Sequence, residues 1–378
     1  MKPFFAGLLY ISFITLSCQP DVDSTTTSML VDENATAETR ALFNNLNQMR
    51  LEYILFGAQD ALAYGVHWKR EPGRSDAMDV AGSHPAVYGW EIGHIEHGNE
   101  VNLDGVRFSE MIGWIKEGYE RGGVITISWH ADNPVSGGSA WDTTPAVSSI
   151  LPGGKHHSMF NEWLDRVGEF LRQLQSDNGE MIPVIFRPWH EMNGSWFWWG
   201  RELCSPEEFH RLYRYTVKYL RDHLEINHLL YAYSPDRFSD EEDYLERYPG
   251  DKYVDILGYD DYGSLICAER RDVFVRQLET VVRIAEERNK IPALTESGFN
   301  ALPDSTWYTQ VYLPGLLATD VTRRIAYAQV WRNANAKTDH PNHFYVPYKG
   351  HPAASDFIQF RNHPVILFED DLPLRLYD

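Results

Sequence analysis

Ile182-Pro-Val-Ile-Phe-Arg-Pro-Trp-His-Glu-Met-Asn-Gly-Ser-Trp-Phe-Trp-Trp-Gly200 decides how this chain is read. It opens as a short apolar run, Ile182 to Phe186, the pattern of a strand buried on both faces. It ends in an ionisable pair, His190-Glu191, followed at once by Trp196, Trp198 and Trp199. A carboxylate at the end of a buried strand costs free energy unless something engages it. As plain core, Arg187, His190 and Glu191 would all need burial partners. Beside an aromatic platform, the carboxylate suits a general acid facing a sugar ring, because apolar pyranose faces stack on indoles. The competing reading is a core strand whose tryptophans merely seal a loop.

Seven further runs of the same kind surround it, giving Tyr53–Asp60, Ala86–Gly93, Val124–His130, Ile182–Glu191, His228–Asp236, Val254–Tyr262, Ile291–Gly298 and Ile325–Asn333. Between most of them the apolar residues recur at the helical period. Phe108, Met111, Ile112, Ile115 and Tyr119 form one such set. Phe160, Trp163, Leu164, Val167, Phe170, Leu171 and Leu174 form a second, and Phe274, Leu278, Val281, Val282 and Ala285 a third. Asp104, Ser158 and Ser205-Pro206 are the expected helix starts. A short helix is expected around Asp240–Arg247, and the segment after the first run is obscure. Strand and helix alternating eight times predict an α/β fold, a single (β/α)8 TIM barrel. The rival, a doubly wound open sheet, usually carries fewer strands and a glycine-rich phosphate turn, and neither GxGxxG nor GxxxxGK[ST] occurs.

In such barrels the site lies at the C-terminal ends of the strands. Run three ends Ser128-Trp129-His130, run four Trp189-His190-Glu191 and run six Gly258-Tyr-Asp-Asp-Tyr262. Run seven ends Leu294-Thr295-Glu296-Ser297-Gly298 and run eight Val330-Trp331-Arg332-Asn333. Each deposits titratable or aromatic groups at one rim. Two carboxylates there, Glu191 and Glu296, suggest glycoside hydrolysis; retention needs them about 5–5.5 Å apart.

Arg187-Pro-Trp-His-Glu-Met-Asn-Gly194 with Trp196-Phe-Trp-Trp199 resembles the acid/base signature of glycoside hydrolase family 26, mostly β-mannanases. The resemblance covers roughly residues 40 to 370. It implies a clan A type retaining barrel with catalytic glutamates after strands 4 and 7, so Glu191 would be the acid/base and Glu296 the nucleophile. It also implies sugar contacts from His130, His190 and Arg332, a leaving-group tryptophan at Trp196, and a subsite floor at Trp331. Tyr262 would hydrogen-bond the nucleophile, with Tyr259 as the register alternative. Asp260 is placed in the substrate site and is also the competing acid, while Trp141 fits either cleft or surface. The implied substrate is β-mannan polysaccharide or manno-oligosaccharide, with no cofactor and no metal. Mixed-linkage glucan or β-1,3-xylan, an exo-acting mannobiose-releasing mode, and a non-catalytic glycan binder stay open as alternatives.

Composition agrees. The 378 residues are 43% hydrophobic and 13% aromatic, and carry a net charge of −20. A field of that sign disfavours nucleic acid and anionic membrane surfaces. It fits a neutral polymer, and equally simple solubility. Lys2 and the apolar Phe4–Leu16 read as a targeting segment too short to span as a helix. Leu16-Ser17-Cys18 matches the lipobox of bacterial lipoproteins, which makes Cys18 the lipidated residue. The expected organisation is a signal peptide over 1–17, a flexible polar tether over 18–39 and the catalytic barrel over 40–378. Gln19 resembles outer-membrane sorting. An exported outer-membrane lipoprotein, monomeric, facing periplasm or cell surface, is therefore expected.

Cys204 and Cys267 remain, and a disulfide between them is open. No zinc-type spacing occurs. His156-His157, His94 and His97 read as loop histidines without acidic partners at metal spacing. The acidic run Ser239–Glu246 reads as a solvated face or a calcium site.

Overall fold

The computed structural model describes residues 30–335, 337, 340–373 and 376–378. The expected signal peptide, Cys18 and the tether up to residue 29 lie outside the described residues. Eight parallel strands form the barrel. They are β1 Ile54–Gln59, β2 Val87–Glu91, β3 Val124–Trp129, β4 Val184–Pro188, β5 Leu229–Tyr233, β6 Ile256–Asp261, β7 Ile291–Ser297 and β8 Tyr327–Val330. Each pairs in parallel with the next, and β8 returns to β1 through Leu55↔Tyr327 and Ala58↔Val330, which closes the sheet. The strands lie inside the eight apolar runs. Every strand residue is buried, as a sheet covered on both faces requires.

Alternation divides the strands into two layers. Ile54, Phe56, Ile127, Phe186, Tyr231 and Leu257 face outward onto the helices. Leu55, Val87, Val124, Ile185, Leu230 and Ile291 fill the lower barrel, where Leu42, Phe43 and Leu46 of the helix Ala37–Met49 plug the end. The predicted helices appear at Phe108–Glu120, His157–Leu171, Pro206–Lys218 and Arg271–Glu287, and the short one at Glu241–Leu245. The Pro206 helix starts as expected, with Ser205 and Glu208 in a reciprocal capping box. Two expected starts are corrected. Asp104 lies in the turn before the Phe108 helix, whose cap position is Arg107, and Ser158 sits inside a helix that begins at His157. The obscure segment after β1 holds a hairpin, Tyr64–Gly65 with Trp68–Lys69, and the helix Asp76–Ala81.

The expected tether ends too late. Residues 31–39 pack on the barrel: Val31 N donates to the buried Asp255 Oδ1 at 2.8 Å, and Thr36 caps the plugging helix. Their polar composition hid this, because Asp32, Thr36 and Thr39 are engaged in hydrogen bonds.

Candidate active site

The upper barrel is polar. Arg187 of β4 is buried, and a buried guanidinium requires anions. It finds two. Its NH1 donates to Asp260 Oδ2 at 3.0 Å, and its NH2 donates to Glu296 Oε1. Tyr262 donates its hydroxyl to the other oxygen, Glu296 Oε2, at 2.9 Å. Tyr259 points outward instead, against Phe238 and Phe274, so the register places Tyr262 in the site.

A bulge aims the β7 side chains. The register shifts between Tyr259/Asp260 on one side of β7 and Ala328/Val330 on the other. One extra residue lets two consecutive side chains, Thr295 and Glu296, both face the barrel interior. Thr295 Oγ1 donates to Asp260 Oδ1 at 2.8 Å, and Ser234 Oγ reaches the same oxygen at 2.7 Å. Gly258 makes room, since a Cβ there would meet Thr295 Oγ1 at 2.6 Å.

Glu191 lies three residues past β4, in a turn where both Trp189 (φ 56°) and Glu191 (φ 52°) adopt left-handed backbone. That conformation is unfavourable for these residue types and is held by Glu191 N donating to Ser234 O at 2.7 Å. Trp196 donates its indole N–H to Glu191 Oε2 at 2.7 Å. Carboxylate oxygens of Glu191, Asp260 and Glu296 lie within 4.8 Å of one another. One guanidinium cannot balance three negative charges so close, so the cluster retains protons. Arg187 contacts Asp260 and Glu296, not Glu191. Burial, then the charges of Asp260, Glu296 and Asp236, push Glu191 well above the usual carboxylate range. Burial and Glu296 also push Asp260 up, against Arg187.

On the other side of the site, His130 directly follows β3. Its Nδ1 lies 2.7 Å from Oε2 of Glu91, and its Nε2 lies 3.1 Å from Nε2 of His190. Trp141 stacks on His130 with centroids 5.1 Å apart and planes 13° apart, a contact that ties it to the site while half of its surface stays open to solvent. Trp331 meets the same imidazole edge-on at 6.2 Å.

The structure brings Glu191, Glu296, His130, Trp141, His190, Trp196, Tyr262 and Trp331 together, and corrects other expectations. Asp260 lies beneath the carboxylates, fully buried and bonded to Arg187, Ser234 and Thr295, so it has no face for substrate. Arg332 pairs with Asp104 at 3.0 Å and lies 3.4 Å from the Tyr64 hydroxyl, which in turn bonds Asp60. Trp198 and Trp199 are no platform; both are buried and anchor their loop through Ala131 O and His190 O.

His97 and His94 do have an acidic partner, Asp132, at 2.9 and 3.9 Å, contributed by the next strand's loop and so invisible to local spacing. His157 sits in a helix, between Ile150 O and the Tyr215 hydroxyl. Asp243 and Glu246 of the acidic run pair with Arg201, which leaves no open calcium cage there. Cys204 and Cys267 are free thiols.

Sequence reasoning missed Glu91, Asp60 and Tyr345. Run two closes Glu91-Ile92-Gly93 and run one ends at Asp60, and reading those ends as the other five were read finds both. Tyr345 comes from a loop after β8; it packs edge-on to Tyr262 and against Gly298, where φ is +140° and a Cβ would strike the ring.

Residues 31–309 match the family model Glycosyl hydrolase family 26. The structure superposes on a GH26 beta-mannanase from Bacteroides ovatus with a TM-score of 0.86 at 43% identity, covering 91% of this chain and 98% of that one. A GH26 protein from Muricauda gives 0.85 at 33% identity, covering 93% and 96%. The mannan endo-1,4-beta-mannosidase of Bifidobacterium adolescentis is 37% identical over 349 residues, 87% of this chain, which spans only 34% of that relative's length. One of Bacillus subtilis is 30% identical over 61% of this chain and 66% of its own length. With the family model covering most of the barrel and these folds superposing almost end to end, the chain belongs to glycosyl hydrolase family 26.

Proposed function

We propose that this protein hydrolyses β-1,4-mannosidic linkages in mannan, galactomannan or glucomannan by retaining double displacement. The observation that carries the reading is the spacing of Glu191 and Glu296, whose oxygens lie within 4.8 Å of one another, near the about 5–5.5 Å of retaining pairs. Inverting pairs leave room for a water and stand about 6.5–9.5 Å apart. Glu296, oriented by Arg187 and Tyr262, attacks the anomeric carbon. Glu191 protonates the departing oxygen, then takes a proton from the water that releases the sugar. Its raised proton affinity suits the first step, and loss of the neighbouring charge when Glu296 becomes esterified suits the second. Trp141, stacked on His130, and Trp196, bonded to Glu191, offer exposed indole faces near the pair.

The names of the relatives support mannan as the polymer. A product profile against mannan, galactomannan, lichenan and xylan tests this. Cleavage of mannans alone, with mixed oligosaccharides appearing early, is expected; lichenan or xylan turnover, or mannobiose as the sole early product, overturns it.

We further propose an exported monomer anchored through lipidated Cys18 to the outer membrane, supported by Leu16-Ser17-Cys18-Gln19. Cys18→Ala should release soluble protein with undiminished activity. A wild type already soluble and unlipidated removes the anchor, and a dimer in solution removes the monomer.

A further inference from the structure

Glu91 is a fully buried carboxylate at the end of β2, away from the three acids on the cleft floor. Its oxygens accept from Ser128 Oγ at 2.6 Å, Gly93 N at 2.6 Å, His130 N at 2.8 Å and His130 Nδ1 at 2.7 Å. Of these donors His130 alone can carry positive charge, and a buried carboxylate favours a charged partner. The next contact fixes a proton. Two imidazole nitrogens 3.1 Å apart, His130 Nε2 and His190 Nε2, need one hydrogen between them. If His190 donates it, His130 is neutral and Glu91 faces no cation. If His130 donates it, His130 is the imidazolium, and His190 carries its hydrogen on Nδ1.

We propose that Glu91 is a positioning residue that holds His130 as the imidazolium, and that this ring fixes His190, the neighbour of Glu191, as the neutral Nδ1–H tautomer. The surroundings agree from each side. His130 meets Glu91 from β2, His190 and Phe197 from the β4 loop, Trp141 from its own loop and Trp331 from β8, within the fields of Glu296 and Asp104. Burial opposes charge on His130, but Glu91 outweighs it and raises its proton affinity. His190 meets His130, Phe197 and Trp199; burial, Arg187 and His130 push it well below the ordinary histidine value. The proposed tautomer leaves an N–H on His190 Nδ1, a buried atom that meets no hydrogen-bond partner among the described residues, a cost that the ion pair of Glu91 and His130 offsets. A neutral His190 also spares Glu191 an adjacent cation that would draw off its proton.

The inference rests on Glu191 acting as acid/base, but its first test needs no activity. Nitrogen NMR of histidine-labelled enzyme near neutral pH should show His130 protonated on both nitrogens and His190 on Nδ1 only, with signals assigned by their loss in His130→Asn and His190→Asn. A neutral His130 beside a His190 protonated on Nε2 overturns the proposal, and the wild-type spectrum decides this whether or not any Glu91 variant folds. In Glu91→Gln, which keeps the shape and removes the charge, His130 should become neutral. Its kcat on mannan should fall about tenfold, the scale seen when the carboxylate behind a ligand histidine is removed, with KM little changed. A folded E91Q that keeps either the charged His130 or wild-type kcat also overturns it. If wild type cleaves no mannan, the functional reading fails while the spectra still judge the relay.

Discussion

Trp196 donates its indole N–H to Oε2 of Glu191 at 2.7 Å while keeping 38% of its surface open to solvent. One side chain therefore holds the Glu191 carboxylate in place and presents an apolar face beside it. The bond favours the charged form of Glu191, against burial and the neighbouring carboxylates that favour the neutral form.

Trp196→Phe should separate those effects. Phenylalanine keeps an aromatic face and removes the donor, so the ionised form loses stabilisation and the proton affinity of Glu191 rises further. The acid then stays protonated to higher pH, and the alkaline limb of the kcat/KM profile moves upward. A limb that stays or moves downward would show that the indole N–H does not govern this proton.

Glu296→Ala should lower turnover by roughly 10³-fold or more, because it removes the attacking group. Arg187 keeps Asp260 as a partner, so the barrel should remain folded by circular dichroism. Near-normal hydrolysis by a folded variant would take the nucleophile's role from Glu296.

The strands and the two glutamates were legible because both follow from local pattern: short continuous apolar runs, as strands covered on both faces require, and titratable residues where they stop. What stayed hidden depends on contacts between distant segments. The bulge that turns Thr295 and Glu296 to the same side is a mismatch between β7 and its neighbours, so no run shows it alone. Asp260 looked open to substrate because it lies beside Tyr262 in sequence, yet Arg187 and Ser234 from other strands cover it. Glu91 itself stands at the end of its run as Glu191 and Glu296 do; what its run cannot show is its partner, His130 of the next strand.

The N-terminal boundary offers a stability test. A chain starting at residue 40 loses the Thr36 cap and the Val31 bond to Asp255, which is fully buried. One lost cap and one buried acceptor stripped of a donor should together cost about 2–4 kcal/mol. Denaturant midpoints of chains starting at residue 30 and residue 40 measure this. The kcat of both should match, since the plugging helix packs at the barrel end opposite the site. Equal midpoints would return residues 31–39 to the tether.

Glu191→Ala is tested by a contrast of substrates. As acid, Glu191 protonates the departing oxygen; as base, it activates water. Dinitrophenolate leaves without that proton. The variant should therefore keep much of the first step on an aryl mannobioside, yet lose nearly all activity on mannan. Glycosyl-enzyme should accumulate on Glu296, giving a burst and a low apparent KM. Azide, a small nucleophile that needs no base, should restore turnover from the space the carboxylate leaves. The nearest competitor, Asp260, is fully buried under Arg187, Ser234 and Thr295 and cannot reach a glycosidic oxygen without breaking those bonds. If the variant loses aryl substrate and mannan equally, with neither burst nor azide rescue, Glu191 is a structural residue, and the acid lies elsewhere in the cleft.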